Sequence, residues 1–179
     1  MGTALRAFAL ACCFLSLLIP MRAVEPADTL EELQQRFDRE TDGVSKAKML
    51  RKLGDAQFAK EREAAKANDY DTVDVVMEKY RDNVRAAFDA VKKAHPDAER
   101  HPAGYKQLEI HIESGIREVN DLLVNVPEPY RPPLQIVKTD LLAMDNELLH
   151  MLFPRRPGEK PLPPKTDATT KPLAEEKKP

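Results

Sequence analysis

The sequence predicts an all-α protein, an antiparallel four-helix bundle with a short leading helix. Three observations carry that expectation. Apolar residues recur at alternating spacings of three and four along several long stretches, which is the repeat of one face of an α-helix. No stretch sustains period-two alternation, and no Asn-Gly or Asp-Gly turn joins two alternating segments, so strands are not expected. Only 6 of 179 residues are glycine, and Ala, Leu, Glu and Lys are abundant, a composition that favours helices.

The elements follow in order. After Pro26, Asp28 stands as a helix cap with Glu31 as its reciprocal partner, and Leu30, Leu33 and Phe37 form the stripe of the leading helix, which ends near Asp42-Gly43. A second helix opens at Val44-Ser45 and runs to about Ala67, with Ala47, Leu50, Leu53, Gly54 and Phe58 toward one side. Asn68-Asp69-Tyr70-Asp71 has the residues of a turn, because short polar side chains bond their own backbone. Behind it Val73, Met77, Tyr80, Val84, Ala87, Phe88 and Val91 give the clearest helical period in the chain. Ala94 to Ala103 holds two prolines and two histidines and reads as a loop, after which Pro102 suits the first turn of a fourth helix. Its stripe is Tyr105, Leu108, Ile112, Ile116, Val119, Leu123 and Val126. The proline run from Pro127 to Pro133 stops it, since proline in a helix interior costs about 3 kcal/mol. The last helix carries Leu134, Val137, Leu141, Met144, Leu148 and Met151 and ends at Phe153-Pro154.

Each amphipathic stripe is buried only against the others, hence the bundle. The alternative is a stack of helical hairpins. Leu53-Gly54 followed by Asn68-Asp69-Tyr70-Asp71 resembles the start and turn of a tetratricopeptide repeat, over about forty residues. The first helix is some two turns longer than in that motif, Val73 stands where it has alanine, and no second copy follows.

Residues 1–23 read as a secretory signal segment, with Arg6 ahead of an apolar run from Ala7 to Met21. A membrane span needs about 20 apolar residues and a signal region only about 7–15, so removal after Ala23 is expected. Met21 is larger than the processing position prefers, and an uncleaved anchor, a core helix and a lipidated Cys12 are the competing readings. Both cysteines, Cys12 and Cys13, lie in this segment, so the exported chain is expected to carry no thiol and no disulfide.

The helical domain is assigned to residues 24–153, and residues 154–179 to a disordered, Pro- and Lys-rich tail. The domain holds 19 Lys and Arg against 26 Asp and Glu, a balance of −7, and the tail 7 against 4, a balance of +3. A net-negative body argues against nucleic-acid binding, which needs clustered positive charge. The tail has 7 prolines and only Leu162 and Leu173 as large aliphatics, too little apolar surface to offset its ordering entropy. Its Pro154-Arg155-Arg156-Pro157 and Pro161-Leu162-Pro163-Pro164-Lys165 have the spacing of polyproline ligands, although a spacer or solubilising tail is the plainer reading.

Candidate chemistry is sparse. His95 and His101 share a loop with Asp97 and Glu99, a donor set of the right kind for zinc or copper in no established spacing. His111 and His150 are expected beside their helix seams rather than within them. Glu147 and His150 have the Glu-x-x-His spacing of bundle metal sites, which need two copies, and one is present. Glu109 with Glu113, and Glu113 with Arg117, fall at helical neighbour positions and read as surface pairs. Tyr70, Tyr80, Tyr105 and Tyr130 read as core or rim packing, and Gly115 as a mark of close helix approach. No phosphate loop, nucleophile elbow or zincin helix occurs. No catalytic, cofactor-binding or metal-binding residue is therefore assigned, and no cofactor. The expected function is that of an exported, periplasmic or secreted, non-catalytic protein-interaction module whose partner is another envelope protein, without a membrane span after signal removal. The alternative is a small-ligand or metal carrier with its site in the bundle interior.

Overall fold

A computed structural model describes residues 28–154. The expected signal segment, and the tail beyond Pro154, lie outside the described residues. Within them the protein is all-α: α1 (Leu30–Arg39), α2 (Gly43–Lys66), α3 (Tyr70–Ala94), α4 (Ala103–Asn125) and α5 (Arg131–Leu152), with a 3-10 turn at Glu128–Tyr130. No strand occurs among the described residues.

Local chemistry explains most of the boundaries. Thr29, not Asp28, caps α1: its Oγ1 accepts from Glu32 N and its own N–H donates to the Glu32 carboxylate, a reciprocal pair. Asp28 instead receives both arms of the Arg36 guanidinium at 2.8 and 2.9 Å. Asp42 caps α2 through Ser45 N, and Asp69 caps α3 through Thr72 N. Asn68 between α2 and α3 has φ 59°, a left-handed conformation that asparagine tolerates. The proline run is not wholly a stop signal. Pro127 ends α4, but Pro132 and Pro133 lie in the first turn of α5, where a missing N–H leaves no helical bond unmade.

Four long helices enclose one core, with Tyr80, Tyr105, Leu50, Met77, Leu108, Ile112, Leu134, Leu141 and Leu148 fully buried. Sequence neighbours run antiparallel, as short connections demand. The ring is nevertheless open. α2 packs on α4 and α3 packs on α5, whereas α2 and α5 do not meet. Contacts fix the directions: Gly104 at the start of α4 lies beside Val44 at the start of α2, and Arg62 late in α2 binds Glu118 late in α4. Likewise Tyr70 meets Tyr130, Arg85 meets Asp140 and Lys92 meets Glu147, so α3 and α5 run the same way. The molecule is thus two helical hairpins, α2–α3 and α4–α5, laid side by side with like helices parallel. That is the bundle sheared toward the hairpin stack expected as its alternative. α1 touches α2 and none of α3, α4 or α5 along the backbone, and it buries Leu33 and Phe37 at the edge away from α4–α5. An amide pair ties it to α3, with Gln34 Nε2 donating to Asn83 Oδ1 at 3.0 Å and Asn83 Nδ2 returning the bond at 2.9 Å.

The close approach of the hairpins has a specific cause. The Tyr80 ring of α3 lies between Gly54 of α2 and Gly115 of α4. A Cβ on Gly54 would stand 3.1 Å from Tyr80 Cε2, and a Cβ on Gly115 would overlap Tyr80 Cε1. The hydroxyl donates to the carbonyl oxygen of His111, and Phe58 covers the ring at a centroid distance of 4.6 Å. Gly115 marks a close approach, as expected of a glycine inside the fourth helix.

Candidate functional site

The four histidines occupy different environments. His95 and His101 do come together, their rings 5.2 Å apart, but Asp97 is engaged by Arg100 through both its backbone N–H and its side chain. No group of three or more His, Cys, Asp or Glu side chains is placed to hold a metal ion among the described residues. Glu147 pairs with Lys92 across α5 and α3, and His150 is exposed. His111 departs from the expected flank position: it is 9% exposed and belongs to the buried set. The reason is that α4 packs against α2, α3 and α5 at once, so its buried arc is wider than one stripe. Burial holds the His111 imidazole below its usual range, although Asp55 works against this. Glu113 and Arg117 are paired at 3.6 Å on the surface of α4, as helical neighbours four apart should be.

Three polar side chains inside the seams were not singled out from sequence. Gln57 and Asn83 are each 2% exposed, and Asn83 Nδ2 lies 3.5 Å from Gln57 Oε1. Glu61 is 1% exposed and faces α4. It lies three residues after Phe58 and seven after Gly54, on the buried face of α2, and that phase is the signal by which it could have been found. Around it Arg62, Tyr70, Glu118, Asp121 and Asn125 line a groove of about 340 Å³ at the α2–α4 seam, floored by Ala65, Leu122 and Val126.

The outer surface is more unequal than the inner one. Among the described residues seven large apolar side chains are exposed, and six lie on α4, on α5 or directly after it: Ile110, Val124, Ile136, Leu142, Leu149 and Phe153. Val75 of α3 is the seventh. On α5, Asp140 and Glu147 face α3 and bind Arg85 and Lys92. Leu142 and Leu149 come two residues after each, hence on the far side of a helix with 3.6 residues per turn. Phe153, four residues after Leu149, continues their line. These three are 45%, 38% and 68% exposed. They form a strip along the edge of the α4–α5 hairpin turned away from α3. All six are apolar residues out of phase with the buried seams, which is the sequence signal for them. From Ala103 to Leu152 the chain carries four Lys and Arg against eight Asp and Glu, so the α4–α5 hairpin as a whole is net acidic.

Comparison with protein-family models, with curated proteins and with solved structures finds no match to the chain. No described helix is long and apolar enough to cross a membrane.

Proposed function

We propose that this chain is a non-catalytic interaction module of an exported protein, and that it binds a helical protein partner of the cell envelope through the outer strip of α4–α5. The observation that carries the reading is the strip of Leu142, Leu149 and Phe153 on a helix edge that no other described element covers. Apolar side chains aligned on one helix face are what a partner helix buries, as anchors spaced by about one turn or two. The net negative charge of the α4–α5 hairpin favours a partner that carries basic side chains beside its apolar face. Export rests on the signal-like segment at residues 1–23. The carrier of a small ligand or metal in the bundle interior has no described observation in its favour, because Tyr80, Tyr105, Leu108 and Leu141 occupy the space between the helices.

The test is crosslinking in the producing cell from a photoreactive residue at position 142 or 149 of the full chain. The expected result is one discrete adduct, lost in Leu142→Asp/Leu149→Asp and retained in Val75→Asp, whose exposed valine is on α3. An adduct that survives the double substitution, or is lost equally in the α3 control, overturns the assignment. Thermal unfolding of the double variant must show that it still folds, since both side chains are only partly covered.

A further inference from the structure

We propose that the seam between the two hairpins is closed at its α2–α4 end by a single proton held between the carboxyl groups of Glu61 and Glu118, and that release of this proton loosens α4 from α2.

The geometry leaves Glu61 no other partner. Its side chain is 1% exposed and its Oε2 receives no hydrogen bond. The cation next to it in sequence is already committed. Arg62 Nε donates to Glu118 Oε1 and Arg62 Nη2 to Glu118 Oε2, both at 2.7 Å, a two-armed clasp that holds Glu118 as the anion. Glu61 lines the same α2–α4 groove as that carboxylate and is the chain neighbour of the arginine that clasps it. Two neighbouring carboxyl groups, one of them buried, cannot both ionise cheaply, so they retain one proton between them. The proton resides on Glu61, because Glu118 has the guanidinium. In that state the Glu61 O–H donates to Glu118, and the chain of bonds runs from α2 through Glu61 to α4 and back through Arg62.

The other groups facing the pair do not replace the proton. From α2, Lys66 lines the groove and Asp55 acts on Arg62 from further back; from α4 comes Asp121; from α3 comes the uncharged Tyr70. Arg131, at the start of α5, donates to the Val126 carbonyl oxygen at 3.0 Å. Burial above all, and then the Glu118 carboxylate, push the Glu61 carboxyl up to about 7, against the smaller opposing pull of Arg62. A carboxyl raised in the folded state binds its proton more tightly there than in the unfolded chain. Its contribution to stability is therefore complete below the ordinary value of 4.5 and is lost as pH rises through about 7. Deprotonation places two adjacent carboxylates across the α2–α4 seam beside an open groove, and their repulsion is relieved by admitting water or separating the helices.

The experiment uses the full chain. NMR titration of the carboxyl carbons of carbon-13-labelled glutamate should show one side chain with a midpoint near 7, absent from Glu61→Gln. Amide exchange along the facing turns of α2 and α4, corrected for the intrinsic base dependence, should accelerate by up to about tenfold between pH 6 and pH 8. In Glu61→Gln a side-chain amide can donate to Glu118 without titrating, and the excess acceleration should disappear. A Glu61 midpoint in the ordinary range of 4 to 5, or the same excess acceleration in Glu61→Gln, overturns the proposal. If the variant does not fold, the titration of the unaltered chain decides alone.

Discussion

Replacing Gly115 by alanine is the most severe test of how the hairpins are held together. In an exposed helix the change stabilises, by about 1 kcal/mol of helix propensity. Here the new methyl would overlap Tyr80 Cε1 and lie 3.1 Å from both Tyr80 Cζ and Leu141 Cδ1. The ring cannot retreat toward α2, where a Cβ on Gly54 would already be 3.1 Å from its opposite edge. Phe58 covers it, and its hydroxyl is tethered to the His111 carbonyl. Overpacking of a well-filled core costs about 1–3 kcal/mol. A ring displaced enough to accept the methyl also gives up its hydrogen bond, leaving a buried hydroxyl unsatisfied for about 1–3 kcal/mol. After the propensity gain, the expected net loss is about 3 kcal/mol, which for a domain of this size lowers the melting temperature by about 10 °C. Circular dichroism melts and urea unfolding measure it. A double variant with Tyr80→Leu, which removes the obstacle, should recover part of the loss, so that the two changes are strongly non-additive. A Gly115→Ala protein as stable as the parent, or additive with Tyr80→Leu, would refute the idea that Tyr80 is gripped between two glycines.

Two further outcomes are expected. Thr29→Ala removes one half of the reciprocal cap on α1 and should cost about 1 kcal/mol, appearing as faster amide exchange in α1 with α3 unchanged; unaltered α1 protection would count against the cap. Asp74→Asn should stabilise the protein at pH 7.5 more than at pH 4.5. Burial first, then Glu78 and Asp71, push the Asp74 carboxyl up to about 6, and its Oδ1 has no donor, so the native aspartate loses stability as pH rises from 3.8 through that value. A gain that is equal at the two pH values, read from urea midpoints, would show that Asp74 titrates normally.

The helices were legible because each seam repeats its own period: the row from Val73 to Val91 buries the residues its spacing selects, and so does the row from Leu134 to Leu148. Ambiguity arose where two local solutions differ by one residue. Asp28-x-x-Glu31 and Thr29-x-x-Glu32 are the same capping pattern in adjacent phases. The second is the one formed, and the Asp28 carboxylate pairs with Arg36 instead. Other features needed tertiary information. His111 looks like a flank residue until α4 is seen to touch three helices. Glu61 falls on a buried face by its phase, but its proton-sharing partner lies on another helix, and only packing places Glu118 and Arg62 around it. The open strip on α5 is legible only in part: Leu142 and Leu149 are visibly out of phase with their seam, but whether α2 covers them depends on how far the bundle shears.

That shear gives the molecule two unlike ends. Stacked hairpins leave apolar surface at both edges of the stack, and arrays of this kind close their edges with atypical elements whose outer face is polar. One edge here is closed in that way. α1 lays Leu33 and Phe37 against the α2–α3 hairpin and turns Glu31, Glu32, Gln35, Asp38 and Arg39 outward, and the amide pair of Gln34 and Asn83 fixes its position. At the other edge no described element does the same for α5, and Leu142, Leu149 and Phe153 remain in contact with solvent. The asymmetry sharpens what the proposed partner must supply. It has to do for α5 what α1 does for α2, presenting an amphipathic helix about as long as the strip, apolar toward Leu142 and Leu149 and basic at its margins. A crosslink from position 149 should therefore map to a helical segment of that kind, and one that mapped to an acidic or extended segment would be incompatible with the capping role.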